Sequence, residues 1–559
     1  MMRGLPLDNH VPGRMRSSPL SRPLVPVLLL SFCAVYFFNG GIQTTVSSYF
    51  NAAGQRDFQL PIHCPIQPAA LQPPIAFPLT DPTSSSSRMT TKTDFIERLR
   101  GGGPHPHRDF YSFEDYLRAT YPDVFSALKV ENFATHALLF TWQGSDPALK
   151  PLVLMAHQDT VPVPLDTTSR WTHPPFDAHI DDDGWIWGRG VGDCKNLLIA
   201  ELSAISELLK AGFEPTRSVH IAFGFDEEGG GVRSAAYISQ RFLSLYGPDG
   251  LFMVVDEGGL IQPPSSSSSP LFVTPSLAEK GSVNVQLSVG VPGGHSSIPP
   301  AHTAIGILSA LVTSLEASPP DVVLSKANPF AAYLMCRAEH DPTSLHPTLL
   351  RLLSHERTWP AAARWLSTHD LADAARLSTT QAVDIVAGGI KVNALPEEAH
   401  VVVNHRVSVE DSITGLEARY LTLLTPVAAK FGLTVVGFGE KIPSDTPRYL
   451  QLSHPGFGAE ASPVTPDEGD AWNVFAATAK SLYPTAIVSP FLSTGGTDTR
   501  AYLPPTLNSS LTRAIYRFQA VREDQRANTH TIDERIHADA HISAIEFVWA
   551  LVQNVDAWR

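Results

Sequence analysis

The chain has 559 residues, 43% hydrophobic and 17% charged, a globular composition that excludes a disordered protein and a length that suits two or more cores. Its formal net charge of −14 and the lack of any block of Lys or Arg exclude the basic stripe that tracks a phosphate backbone, so nucleic acid is not an expected partner. Cys33, Cys64, Cys194 and Cys336 are too few and too scattered for a disulfide framework, and none forms a C-x-x-C clip.

At the N-terminus, Arg3, Arg14, Arg16 and Arg22 precede an apolar run from Pro23 to Phe38 broken only by Ser31. A positive flank followed by an apolar run is a membrane-targeting pattern. The run falls short of the roughly 20 residues that span a bilayer, although Gly40, Gly41 and Ile42 extend it if Asn39 is tolerated. An uncleaved signal anchor is favoured over a cleaved signal peptide, because no small-x-small cleavage site stands out; a buried core helix is the third reading. The expected order is a cytosolic tail over 1–22, an anchor or signal peptide over 23–42 and a Pro/Ser-rich linker over 43–109. Asn508-Ser509-Ser510 is a glycosylation sequon, which fits a luminal catalytic part.

Folding is expected to begin near Phe110. Between Lys150 and Gly259, short apolar strands alternate with helical stretches: a strand over 151–156, a helix over 196–209, a strand over 219–225, a helix over 234–245 and a strand over 251–255. The β-α-β-α-β order predicts a mostly parallel sheet with helices on both faces and ligands at the carboxyl ends of its strands. The Ser run 265–269 reads as a surface loop.

Those strands end in metal-ligand chemistry. The first ends in His157-Gln158-Asp159, the second in Asp226-Glu227-Glu228, the third in Asp256-Glu257, and Asp193 sits just before the intervening helix. His-x-Asp also occurs at His107, His179 and His537, but only His157 directly follows a long apolar strand that delivers both side chains to one rim of the sheet. Imidazole and carboxylate suit Zn²⁺, and a carboxylate two residues beyond a ligating His can accept its second N–H and fix the tautomer, the role expected of Asp159. Two adjacent glutamates are costly to bury as anions without a cation. With a metal present, one can ligate while its neighbour acts as a base.

Met155 to Val163, Trp187 to Asn196, Phe225 to Glu228, Asp256 to Gly259, Gly293-Gly294-His295-Ser296-Ser297, Gly495 to Arg500 and Thr529 to Arg535 together resemble the di-zinc exopeptidases and aminoacylases of peptidase family M20, and within them the carboxypeptidase S branch. The resemblance runs from about Phe110 to the C-terminus. It implies one zinc on His157 and Asp256, a second on Glu228 and His530, Asp193 bridging the two, Glu227 as general base, and a cis peptide at Asp193-Cys194. His295 is implied to stabilise the oxyanion, Asn393 and Arg406 to grip the substrate carboxylate, and Gly496 to add a backbone donor.

The distance from Asp256 to His530 implies a mostly parallel-sheet α/β catalytic domain over 110–282 and 441–559, with an inserted α+β lid over 283–440. In the lid, strands are expected over 282–291, over 382–407 as a pair and over 433–438, with helices over 304–316 and 415–431. Two features depart from the family pattern. Arg98 to Pro104 replaces an Ile-Pro-Thr-Glu-Ser-like stretch, which bears on the packing of the first helix. A helical insert over 319–377 is expected to cover the lid edge through which simpler relatives dimerise, giving a monomer. The resemblance implies a zinc-dependent exopeptidase that hydrolyses the amide beside a free C-terminal carboxylate of short peptides through a metal-activated water. Hydrolysis or synthesis of N-acyl amino acids is the alternative, sharing every catalytic residue; a non-catalytic binding protein is disfavoured because the five ligands and the base are all present. A single-pass membrane protein on the vacuolar luminal side is the expected localisation, with secretion as the alternative.

Overall fold

The computed structural model describes residues 60–78, 92–102, 110–503 and 510–558. The apolar run at 23–42 and Asn508 of the sequon lie outside the described residues. Strand Leu152–His157 lies parallel to Val219–Gly224 on one side and to Met253–Gln262 on the other. Every residue of the first two strands is buried, as a parallel sheet covered on both faces requires. Alternate side chains serve opposite layers. Leu152, Leu154 and Ala156 join a core with helices Asn196–Lys210 and Ala538–Ala557, while Val153 and Met155 pack with Ile238 and Phe242 of helix Ser234–Tyr246.

Ile515–Arg522 extends this ten-stranded sheet in parallel beside Met253–Gln262, followed by Ser276–Glu279 and Phe491–Ser493. The antiparallel pair Lys129–Phe133 and Ala137–Trp142 closes the other edge. The strand Ile515–Arg522 comes from beyond the lid, so the two catalytic segments share one sheet.

The lid is a five-stranded sheet in the order Ala382–Gly388, Glu398–Val407, Gly281–Gly290, Tyr449–Ser453 and Thr434–Val436. Helices Ala304–Glu316 and Ile413–Lys430 cover it, burying Leu311 and Tyr420 against Val283, Leu287 and Val401. The lid reaches Ser453, past the boundary expected at 440, because Leu450 and Leu452 alternate inward beside Gly281–Gly290.

The helical insert contains Pro329–His340, Pro347–Leu353, Trp359–His369 and Leu371–Arg376. Its Phe330, Leu334, Trp359 and Leu366 form a cluster with Ala278 and Leu492 from the edge of the catalytic sheet. It does not cover the lid edge, where Ile385 and Val386 of Ala382–Gly388 stay 57% and 71% exposed.

Residues 60–78 are not a free linker. The Leu71 N–H donates to Ala477 O at 3.0 Å, and the Trp549 side chain donates to Ile75 O at 3.0 Å. Phe77 packs on Phe95 and Trp549, and Cys64 forms a disulfide with Cys336 of the insert. Helix Lys92–Gly102 buries Phe95 and Leu99, and Arg98 pairs with Glu207 at 3.1 Å. Ordered structure therefore begins well before Phe110. Among the described residues no helix is long and apolar enough to cross a membrane, so the expectation of a single-pass, membrane-anchored protein is not retained; the apolar run it rested on lies outside those residues.

Candidate metal centre

Residues on or just after three neighbouring strands, and from two loops, converge at one rim of the catalytic sheet. His157 closes strand Leu152–His157 and is buried. Its Nδ1 lies 3.0 Å from the Asp159 carbonyl oxygen and 3.3 Å from Asp159 Oδ1. These acceptors suit a proton on Nδ1 and turn Nε2 toward the site, where a bound cation would take its lone pair. Nε2 stands 3.2 Å from Asp193 Oδ1 and 3.3 Å from Glu257 Oε1.

His530 approaches the other side of the same aspartate. Its Nε2 is 3.2 Å from Asp193 Oδ2 and 3.1 Å from Glu228 Oε1. Each Asp193 oxygen thus completes a nitrogen and carboxylate set of its own. With metal–donor bonds of about 2.0–2.2 Å, tetrahedral zinc ligands stand roughly 3.3–3.6 Å apart. The separations of 3.1–3.3 Å sit at or just under the lower edge of that spacing, so the residues present suit a pair of divalent cations.

Charge points the same way. Burial, then the Glu257 charge, pushes the Glu227 carboxyl up to about 10; burial, then Asp193, pushes Glu257 up to about 8. Hydrogen bonds to Asp193 and Glu228 raise His530 to about 10. Cys194, Glu257 and two hydrogen-bonded aspartates hold His157 well above its ordinary value against the pull of burial. Protons held by these groups offset a surplus of negative charge, the office a metal cation fills at such a site.

The Asp159 carboxylate also accepts the backbone N–H groups of Glu227 at 3.2 Å and Glu228 at 3.0 Å. Asp226, first of the acidic triplet, faces the other way: its carboxylate accepts the N–H groups of Arg233 and Ser234, each at 3.0 Å, at the start of helix Ser234–Tyr246. The acidic turn is thus pinned at both ends, and Glu227 and Glu228 are the pair left free to face the centre. The Asp193–Cys194 peptide is cis, and the buried Cys194 Sγ accepts the His157 N–H at 3.1 Å.

Of the ligands the resemblance implies, His157, Asp193, Glu228 and His530 come together. The fifth residue at the cluster is Glu257, one residue beyond Asp256. Neighbouring residues of a strand point to opposite faces. Asp256 is buried with its Oδ2 unpartnered, and burial raises it to about 6.

In the lid, His295 is exposed on a two-residue strand paired with Ala394–Leu395. The Ser297 N–H donates to His295 Nδ1 at 3.1 Å, so the ring proton resides on Nε2. The exposed Asn393 offers its carbonyl to the Ser296 N–H at 3.2 Å. Arg406 is half-buried on Glu398–Val407, its N–H donating to Thr380 Oγ1 at 2.9 Å. No hydrogen bond or ion pair among the described residues joins these three to the metal cluster. Gly496 lies in the turn after Phe491–Ser493, and four residues on Arg500 reaches Glu227 Oε1 at 3.6 Å. Arg500 stands inside the quoted Gly-Gly-Thr-Asp-Thr-Arg motif, the one signal that marks it in the sequence.

Residues 153–554 match the family model described as Peptidase family M20/M25/M40. Carboxypeptidase S of Saccharomyces cerevisiae is 36% identical, covering 81% of this chain and 80% of its own. Human N-fatty-acyl-amino acid synthase/hydrolase PM20D1 is 31% identical, covering 79% of this chain and 82% of its own. The fold is shared with the M20 family metallo-carboxypeptidase Sso-CP2 of Sulfolobus solfataricus, with a TM-score of 0.56 at 19% identity over 84% of this chain and all of that one. Sequence and architecture together place the chain in peptidase family M20.

Proposed function

We propose that this chain is a metal-dependent carboxypeptidase that works with two zinc ions and releases the C-terminal residue of short peptides. The observation that carries the reading is the sharing of Asp193 between two nitrogen and carboxylate sets, at 3.2 Å on each side. His157, Asp193 and Glu257 are assigned to one ion, with Asp256 relinquished on geometry; Asp193, Glu228 and His530 are assigned to the other. When bound, such a pair polarises a carbonyl and makes water more acidic at neutral pH.

The chain's own residues supply the rest. Glu227 stands beside the ligands without being needed by either set, and it serves as the base that takes a proton from the attacking water and passes it to the leaving amine. Arg500 beside it steadies the carboxylate. The Nε2–H of His295 is free to donate to the developing oxyanion when the lid meets the site. Arg406 and Asn393 receive the substrate carboxylate, the planar guanidinium through paired hydrogen bonds, and Gly496 adds a backbone N–H.

The similarity to PM20D1 supports a second substrate class, long-chain N-acyl amino acids, which carry the same free carboxylate beside the scissile amide. Release of free amino acid from N-blocked dipeptides and from oleoyl amino acids, measured side by side, separates the two. Turnover of dipeptides is the expected result, and turnover of the acyl series alone transfers the assignment to the second class.

A further inference from the structure

Glu534 lies in none of the ligand sets, yet it is the most heavily bonded carboxylate at the centre. It is completely buried. Its Oε1 accepts three backbone N–H groups, from Gly190 at 3.0 Å, Gly192 at 3.1 Å and Asp193 at 3.3 Å. Its Oε2 pairs with Arg189 at 2.5 Å, and its carbonyl accepts the Gly188 N–H at 2.9 Å. Arg189 in turn donates to Thr531 O at 3.2 Å, the residue after His530.

We propose that Glu534 is a positioning residue whose carboxylate locks the Gly190–Asp193 turn to the His530 segment and so sets the spacing between the two metal sites. The inference rests on the metal-centre reading above. Gly192 and Glu534 are 342 residues apart in sequence, so no local preference holds them together. The three N–H groups converge on a single oxygen and form a nest that an anion fills. A neutral acceptor meets the same donors with less charge, and its amide turns a second donor toward Arg189. His530 itself has φ of 63°, a left-handed conformation that persists in a non-glycine residue only where its surroundings hold it. The Arg189–Glu534 pair supplies that hold from the side of the bridging aspartate.

Loss of Glu534 should move metal affinity, which loss of a general core residue would leave unchanged. In the near-isosteric Glu534→Gln, zinc affinity read by competition with a chromophoric chelator is expected to fall roughly 10–100-fold, the usual cost of removing a partner that orients a ligand. The zinc dependence of turnover should shift by the same factor, with KM within about twofold of wild type and turnover restored at excess zinc. Arg189→Lys, which keeps the charge but loses the fork to Thr531 and Glu534, should shift in the same direction by less. Wild-type zinc affinity in a folded Glu534→Gln overturns the inference. Absence of zinc binding by the wild-type chain overturns the metal-centre reading instead, so the two failures are distinct.

Discussion

Glu257 Oε1 stands 3.3 Å from His157 Nε2. Asp256, its immediate neighbour, lies within hydrogen-bonding reach of Thr497 and near Arg517. A strand offers one of two adjacent acids to its rim and sends the other inward. Glu257→Ala is therefore expected to lower metal affinity by more than about 100-fold, beyond the range seen for orienting partners. Asp256→Asn should keep its full metal content, measured by elemental analysis of dialysed protein. The reverse pattern would return the ligand role to Asp256.

Glu227→Gln should bind metal as wild type does and lose turnover by about 10²–10⁴-fold, the range for a general base. The amide retains size and cannot take a proton. Near-normal kcat in a metal-replete variant removes Glu227 from that role.

Arg406→Ala should raise KM with little effect on metal content. A charge-assisted hydrogen bond contributes about 1.5–3 kcal/mol, so kcat/KM for a peptide with a free C-terminus is expected to fall roughly 10–100-fold. A C-terminally amidated peptide should be turned over equally poorly by both enzymes. Unchanged kinetics would refute the carboxylate clamp.

Cys64→Ser should destabilise the fold by about 2–4 kcal/mol, the usual contribution of a native disulfide, here one joining residues 272 apart. Thermal unfolding with and without reductant reads the effect. Wild type under reductant should match the variant, and metal content should stay unchanged because the link lies on the insert, away from the centre.

Acid should weaken the protein through its buried histidines. Burial lowers His541 to about 3 and both His220 and His405 to about 4. In each case the unfolded chain takes up the proton first, so stability present above pH 6.5 is lost as pH falls toward 4. The raised carboxyls of Glu257, at about 8, and Asp498, at about 7, slope the opposite way. A matched variant isolates the histidine part. His541 shares a hydrogen bond with Asn196 Oδ1 at 2.8 Å, which Asn at 541 can reproduce. The stability gap between wild type and His541→Asn is expected to close by about 2 kcal/mol between pH 7.5 and 5. A gap that stays constant across that window removes His541 as a source of acid sensitivity.

The central sheet was legible because Leu152–His157 and Val219–Gly224 are continuous apolar runs, a pattern that only a strand buried on both faces needs. Helix Ala304–Glu316 has the bounds its periodicity predicts. The choice between Asp256 and Glu257 was not legible, because it turns on which face of one strand meets the rim, and adjacent acids carry no mark of that. The extended segment 60–78 was missed for another reason. Its Pro-rich composition describes a solvated linker and a docked extended segment equally well, and its partners Ala477 and Trp549 lie some 400 to 480 residues away. Cys64 and Cys336 are paired by the same remote docking. Arg500 and Glu534 sat in quoted motifs, but a lone charge in a loop shows its role only when its contacts are known.

The segment from Leu71 to Phe77 rests against Ala477, Trp549, Gln553 and Asn554, while His530 and Glu534 close the centre beside Asp193. During synthesis, the first partner of each contact leaves the ribosome hundreds of residues before the second. The emerging polypeptide therefore holds Asp193 without its His530 and Glu534 partners, and the 71–77 segment without its seat, until those distant stretches have been made.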